Sequence, residues 1–343
     1  MRIHQNTLYV QTQGAYIRRD HETVKVMIER QAKLTVPLHH LEGIVCFGRV
    51  SVSPGVIGIC RDHQLNISFL TPEGRFLARL VPAISGNVLL RRQQYRLADE
   101  PSACLRIARA IVAAKIQNCR NLLLRSARET EDATQAAELR RAADRLACAL
   151  ETLAQAPTLD SVRGCEGDAA RNYFAAFNAM IRQQRDGFAM AQRSRRPPLD
   201  PLNSLLSFLY SLLAHDMAGA LEAVGLDPAV GFLHADRPGR WSLALDLLEE
   251  FRPLWADRLA LSLINLRQIR ADGFQTQPGG AVIMDDKTRK AVLAALTQRK
   301  REEMQHPLLD EKVNVGLLPH LQARLLARHL RGDMEDYPAL VLK

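Results

Sequence analysis

The sequence predicts an α+β protein, with a small N-terminal mainly-β domain followed by a larger all-α domain. Three observations carry that prediction. Residues before 81 hold short runs of β-branched and apolar residues broken by turn formers, whereas from Leu90 onward apolar residues recur at helical spacing. Between the two patterns, residues 81–90 gather Pro82, Ser85, Gly86 and Asn87, the composition of a linker. A chain of 343 residues, 47% hydrophobic and 24% charged, is long and apolar enough to build two cores. The expected organisation is a β-rich domain over 1–82, a linker over 83–90 and an α-helical domain over 91–343.

The β half reads as follows. Residues 7–10, 16–18 and 23–27 mix β-branched and apolar residues with polar ones, and Gly14 and the Arg19-Asp20-His21 run punctuate them as turns. Residues 43–47 and 65–70 are short apolar runs of buried-strand type. Between them, Ser53-Pro54 pairs an N-cap with a proline at the first helical position, opening a short helix over 55–62. Pro72-Glu73-Gly74 is a turn into a strand over 75–80.

In the helical half, residues 102–128 set Leu105, Ala108, Ile111, Lys115, Ile116, Cys119 and Leu122 on one amphipathic stripe. Residues 131–155, rich in alanine and laced with charge, form a second helix able to pair with the first. Asp160 or Ser161 caps a third, which carries Glu166 and Tyr173-Phe174-Ala175-Ala176-Phe177. Residues 187–200, with Arg193, Arg195, Arg196 and Pro197-Pro198, read as an exposed basic loop. Asp200 or Asn203 starts a strongly apolar helix through Val224, which Gly225 stops. Residues 240–270 read as two helices broken near Pro253, and 273–283 as a small hairpin. Helices over 286–305 and 318–332 complete the chain.

Composition narrows the function. The net charge is +9, which suits a polyanionic partner such as nucleic acid. No basic amphipathic stretch stands apart from the core helices, so a membrane surface is not expected. The start, Met1-Arg2-Ile3-His4-Gln5, lacks a signal-peptide pattern, and no apolar run is expected to span a bilayer. The six cysteines form no CxxC pair, which argues against a zinc site or a disulfide framework and suits the reducing cytoplasm.

Three separated motifs offer chemistry: Arg163-Gly164-Cys165-Glu166-Gly167, Gly231-Phe232-Leu233-His234 and Asp246-Leu247-Leu248-Glu249. Carboxylate, imidazole and carboxylate together suit Mg²⁺ or Mn²⁺, and the imidazole favours Mn²⁺. Glu166 sits between two glycines at an expected helix beginning, where backbone or substrate can approach. Alone, it is more simply read as complementing a helix dipole. His234 ends an apolar element and faces a polar loop over 235–240. A half-buried structural histidine is the alternative, and His21, His39, His40 and His306 also lie near polar loops. Asp246 and Glu249 are spaced i, i+3 on one helix face, with Glu250 at i+4 and Asp257 further along. Leu245, Leu247 and Leu248 flank these acids, so they lie at the edge of an apolar surface and need a counter-charge from a metal or Arg252. In a basic chain, such a centre points to phosphodiester chemistry. A metal lowers the pKa of a water or 3′-hydroxyl, orients it for in-line attack and neutralises charge at phosphorus.

In this order, the Glu-Gly, Gly-x-x-His and Asp-x-x-acid motifs resemble the CRISPR-associated adaptation integrase family (Cas-one in words). The resemblance covers most of the chain and extends to the strings around Leu159-Asp160, Ala170-Arg171-Asn172-Tyr173-Phe174, Asp200-Pro201-Leu202-Asn203 and His306-Pro307. It implies that the helical domain is the catalytic one of a metal-dependent DNA endonuclease and integrase. Carried over by motif, the metal ligands are Glu166, His234 and Glu249, with Asp246 a catalytic-site acid that shapes the centre. Arg237 and Arg252, three residues after His234 and Glu249, match basic residues that grip the attacked phosphate. Tyr210 matches a tyrosine near the DNA, with a plain apolar helix position as its alternative, and Cys165 stands at an aliphatic packing position. The resemblance further implies a homodimer, a small partner of the Cas-two type and, in some systems, a trimming nuclease of the Cas-four type. The DNA substrates are a short duplex with 3′ ends and a CRISPR repeat, joined by transesterification without ATP. Two other readings stand beside it: a structural subunit that holds DNA without cutting it, and a structure-specific repair nuclease.

Overall fold

The computed structural model describes residues 6–63, 65–72, 74, 76–80 and 87–342. The chain start at 1–5, Glu73 of the expected turn and 83–86 of the expected linker lie outside them. The chain forms two compact units. One comprises Met1–Gly86, Leu296–Glu303 and Asn314–Leu317, the other Asn87–Ala295, Met304–Val313 and Leu318–Lys343. The predicted fold class holds: a β-rich N-terminal region is followed by a mostly helical part.

The first region contains β1 (Asn6–Val10), β2 (Tyr16–Asp20), β3 (Thr23–Ile28), β4 (Gln31–Pro37), β5 (Leu41–Phe47), β6 (Ser51–Val52), α1 (Pro54–His63), β7 (Asn66–Leu70) and β8 (Phe76–Leu80). They make two four-stranded sheets, ordered β1-β5-β7-β8 and β4-β3-β2-β6. β1, β5 and β7 run parallel, so β5, α1 and β7 form a β-α-β crossover. Ile17, Val24, Ile44, Cys46, Val56, Ile59 and Ile67 fill the core. Ser53 starts α1 as expected, its hydroxyl accepting from the Val56 N–H at 3.4 Å.

β4 was not foreseen, because its first five residues are exposed and carry no in–out alternation. It is an edge strand, paired among the described residues with β3 alone. Arg19 and Asp20 belong to β2 rather than to a turn. They stay extended because Asp20 pairs with Lys25 across the hairpin, which turns at His21-Glu22.

The helical part contains α2 (Val88–Ala98), α3 (Pro101–Glu129), α4 (Ala133–Ala154), α5 (Leu159–Ala175), α6 (Arg185–Phe188), α7 (Pro201–Ala223), α8 (Ser242–Phe251) and α9 (Arg258–Asn265). β9 (Phe274–Thr276), β10 (Val282–Met284), α10 (Asp286–Arg301), β11 (Glu303–Gln305), β12 (Lys312–Asn314) and α11 (Leu318–Leu330) follow. The long helix α3 packs against α4, α5 and α8, so it brings α5 and α8 to one place.

Three expectations for the helical part do not hold. α5 is capped by Thr158, whose hydroxyl accepts from the Ser161 N–H while Ser161 reciprocates. α5 therefore starts before Asp160, and Glu166 lies in its middle rather than at its beginning. The expected break near Pro253 is present, as a π-type turn, Arg252–Asp257, between α8 and α9. α10 ends at Arg301, because Glu303–Gln305 leaves the helix to pair with β12. The third concerns α7, which is long and apolar enough to cross a membrane by length and composition. Most of it is buried against α8, α11 and the π-type turn, which accounts for its apolar surface on all sides.

The C-terminal segment is tied down by buried polar groups. Asn118 of α3, fully buried, donates to the carbonyls of Glu250 (3.0 Å) and Leu340 (2.8 Å) and accepts from the Leu342 N–H (3.1 Å). Asn118→Ala leaves these groups without a partner. It is expected to cost about 1–3 kcal/mol, seen as a lower urea midpoint with an unchanged slope.

Candidate active site

α8 presents three acids, Asp246, Glu249 and Glu250, and all three are buried. Buried carboxylates demand partners, and each finds a different kind. Asp246 takes the 232–234 loop. Its Oδ2 accepts from the Phe232 N–H at 2.6 Å and the Leu233 N–H at 2.9 Å, and its Oδ1 from the His234 N–H at 2.9 Å. The His234 ring closes the clasp, with Nδ1 2.6 Å from the same Oδ1. A Cβ on Gly231 would lie 2.7 Å from Asp246 Oδ2 and 2.9 Å from Ser242, so only glycine allows this approach. An ionised carboxylate accepts and cannot donate, so Nδ1 carries the hydrogen. That fixes the tautomer and leaves the Nε2 lone pair open, 4.0 Å from Glu249 Oε1. Gln94 of α2, fully buried, holds the preceding loop through the Asp227 and Val230 carbonyls, and Arg163 Nε donates to the Leu233 carbonyl at 2.7 Å.

Glu249 takes cations. Arg252, one helical turn on, pairs with its Oε1, and the Lys115 ammonium lies 2.6 Å from its Oε2. Lys115 also pairs with Glu166 on α5, so one ammonium bridges two carboxylates from different helices. Burial opposes ionisation of Glu249, but the Arg252 and Lys115 charges outweigh it and hold the carboxyl well below its ordinary range. Glu249 is the floor of the site, while Glu166 and His234 remain 27% and 23% exposed and reach solvent. Gly164 and Gly167 have no protein atom within 4 Å of a Cβ position, so this face of α5 is open to an incoming molecule, not to the protein's own backbone. Glu250 is held by neutral donors: Tyr337 OH (2.7 Å), the Leu340 N–H (2.6 Å) and Gln322 Nε2 (3.1 Å). Among the described residues, no three His, Cys, Asp or Glu side chains form a ready metal cage, because the Lys115 ammonium stands between Glu166 and Glu249.

This geometry can be set beside known proteins. The family model described as CRISPR associated protein Cas1 matches residues 8–298. A CRISPR-associated endonuclease Cas1 of Chlorobaculum tepidum is 49% identical over 99% of both chains. The chain belongs to the Cas1 family. A Cas4 exonuclease/Cas1 endonuclease fusion of Geobacter sulfurreducens is 36% identical, matching 98% of this chain and 60% of the fusion. Among solved structures, the Cas1 protein TM1797 of Thermotoga maritima superposes with a TM-score of 0.81 at 25% identity, covering 95% of this chain and 97% of that one.

Within this family member, Glu166, His234, Asp246, Glu249 and Arg252 come together in one place. Arg237 is exposed on the loop after His234, with the half-buried Arg240 nearby. Burial and the Arg237 charge both push the Arg240 guanidinium down. Arg252 is buried against Glu249, with its guanidinium 5.0 Å from the Tyr210 ring centre, so its first partner is the protein. Tyr210 is buried and donates to Asp257 Oδ1 at 2.6 Å, and Tyr173 donates to Oδ2 at 2.8 Å. The expected basic loop is exposed at Arg195 and Arg196 but not at Arg193. That guanidinium turns inward to Asn203 Oδ1 (2.6 Å) and lies over Tyr210 and Phe174. Sequence reasoning left Lys115 in an apolar stripe and passed over Gln94. The available signal was a lone lysine on the buried face of α3, opposite three acids.

Burial pushes the Asp257 carboxyl up to about 6, although the Tyr210 and Tyr173 hydroxyls pull it down. The ordinary aspartate value is about 3.9, so between these values the folded chain holds the proton more tightly than the unfolded one. Stability from this group therefore falls as pH rises through that window, and above it the penalty is constant. Asp257→Asn, which keeps an acceptor and cannot ionise, removes the penalty. Its stability relative to the parent chain is expected to rise between pH about 4 and about 6, measured by urea unfolding at several pH values.

Proposed function

We propose that this chain is a divalent-metal-dependent DNA endonuclease and integrase of CRISPR adaptation, joining the 3′-OH ends of a short duplex to a CRISPR repeat. One observation carries the reading. The Asp246 clasp fixes the His234 tautomer so that Nε2 faces Glu249, and a cation is already stabilised between Glu249 and Glu166. Two carboxylates and an open imidazole nitrogen fit Mg²⁺ or Mn²⁺, so Glu166, His234 and Glu249 are the residues that would hold it. Such an ion, when bound, activates a water or 3′-hydroxyl and neutralises charge at the attacked phosphorus.

The remaining roles fall to the chain itself. Asp246 keeps the imidazole oriented. Arg252 offsets the Glu249 charge, and its contact with Tyr210 keeps the guanidinium in place. Arg237 and Arg240 at the mouth attract the DNA backbone and grip the attacked phosphate. Attack by a 3′-hydroxyl makes one phosphodiester as it breaks another, so no ATP is needed. The +9 net charge suits a protein that holds two DNAs at once. A Cas4–Cas1 fusion among the relatives supports a Cas-four-type trimming partner. A homodimer, a Cas-two-type partner and a cytoplasmic location complete the proposal.

The test is transfer of a labelled 3′-overhang duplex into a supercoiled plasmid carrying the repeat, with Mn²⁺, with and without the small partner. A covalent donor–plasmid product is expected that disappears with EDTA. Glu166→Gln and His234→Ala are expected to lose it while duplex binding survives. Asp246→Asn, which weakens the clasp on the 232–234 loop and with it the orientation of the imidazole, is expected to lower the rate by about 10–100-fold. Binding without any cut or joined product, across metals and partner, would instead favour a DNA-holding subunit.

A further inference from the structure

We propose that Lys115 is a built-in placeholder cation. It holds Glu166 and Glu249 together before metal arrives, and it competes with the metal for their oxygens. The inference rests on the metal reading above and adds a residue to it. Lys115 is buried on α3, pairs with Glu166 Oε1 and stands 2.6 Å from Glu249 Oε2. Without it, two carboxylates would face each other at the bottom of the site, and Arg252 alone would not balance them. With it, two negative charges meet two positive ones, Lys115 and Arg252, and the pairs sum to zero.

The two cations differ in kind. Among the described residues Arg252 pairs with Glu249 alone, through a planar guanidinium over Tyr210. Lys115 is a point charge on a flexible four-carbon stem, which can swing away without breaking a bidentate fork. The residue choice is notable in a chain that otherwise favours arginine: Lys115 is the only lysine between Lys33 and Lys287. A divalent ion entering between two carboxylates whose charge is already balanced adds excess positive charge, so the ammonium is displaced as the ion binds, and the anionic DNA backbone offsets the remainder. The site thus stays folded without metal and loads it only above a threshold that Lys115 sets.

The experiment is Mn²⁺ binding to the full chain at pH 8, followed by the loss of free-ion paramagnetic resonance signal. Lys115→Met keeps the stem and removes the charge, and it is expected to bind Mn²⁺ roughly ten-fold tighter or more. Lys115→Arg keeps a cation and is expected to bind no more tightly than the parent chain. Without metal, Lys115→Met is expected to unfold at lower urea and to recover when Mn²⁺ is added. If the parent chain binds Mn²⁺ through Glu166, as shown by its loss in Glu166→Gln, and Lys115→Met binds equally or more weakly, the placeholder role is overturned while the metal site stands. If neither the parent chain nor Lys115→Met binds Mn²⁺, both readings fall. Should Lys115→Met not fold, the parent chain labelled with ¹⁵N-lysine decides. A slowly exchanging buried ammonium resonance is expected to shift as Mg²⁺ saturates, and a resonance unmoved at saturation overturns the proposal.

Discussion

The structure of the site depends on burying three carboxylates along one helix. Asp246, Glu249 and Glu250 are shielded from solvent, and an unpaired buried charge costs several kcal/mol or more. The fold meets that cost in three ways. Backbone N–H groups and an imidazole satisfy Asp246, two cations satisfy Glu249, and neutral donors satisfy Glu250, whose carboxyl burial pushes up to about 7. Each solution pins a different part of the chain to α8: the 232–234 loop, the α3 and α5 helices, and the C-terminal segment. Loss of one acid would therefore release a whole segment, not a single contact.

This division also puts neighbouring acids of one helix turn in two different surroundings. Glu249 faces Glu166 and the His234 Nε2, toward solvent, whereas Glu250 faces Tyr337 and Gln322, inside the core. The i, i+3 spacing of Asp246 and Glu249 lets one helix face both orient the imidazole and supply an acid beside it. Nearby, Tyr210 lies between Arg193 and Arg252 with its hydroxyl on Asp257. Tyr210 is buried, and Arg193, expected in an exposed loop, packs on its ring together with Arg252.

Much of this was legible in the sequence, because the signals were local. Period-two and period-3.6 patterns marked the β-rich and helical regions, Ser53-Pro54 marked α1, and the three motifs marked the acids and imidazole that converge. What was not legible lacked a local pattern. β4 is an exposed edge strand without alternation. The hairpin of β11 and β12 is short and hid at the end of a helical run. Glu166 was placed at a helix beginning because Asp160 and Ser161 are good caps, yet Thr158 captured Ser161 first. Lys115, Arg193 and Gln94 are polar residues whose partners lie far away in sequence, so only the packing of α3, α5 and α8 reveals what they do.

The central claim is that Glu166, His234 Nε2 and Glu249 share one divalent ion. The most direct measurement is anomalous scattering at the manganese edge from crystals soaked in Mn²⁺. One strong peak is expected within bonding distance of all three side chains, with the Lys115 ammonium moved off the two carboxylates. A peak elsewhere, or none while the soaked protein still joins DNA, would contradict it.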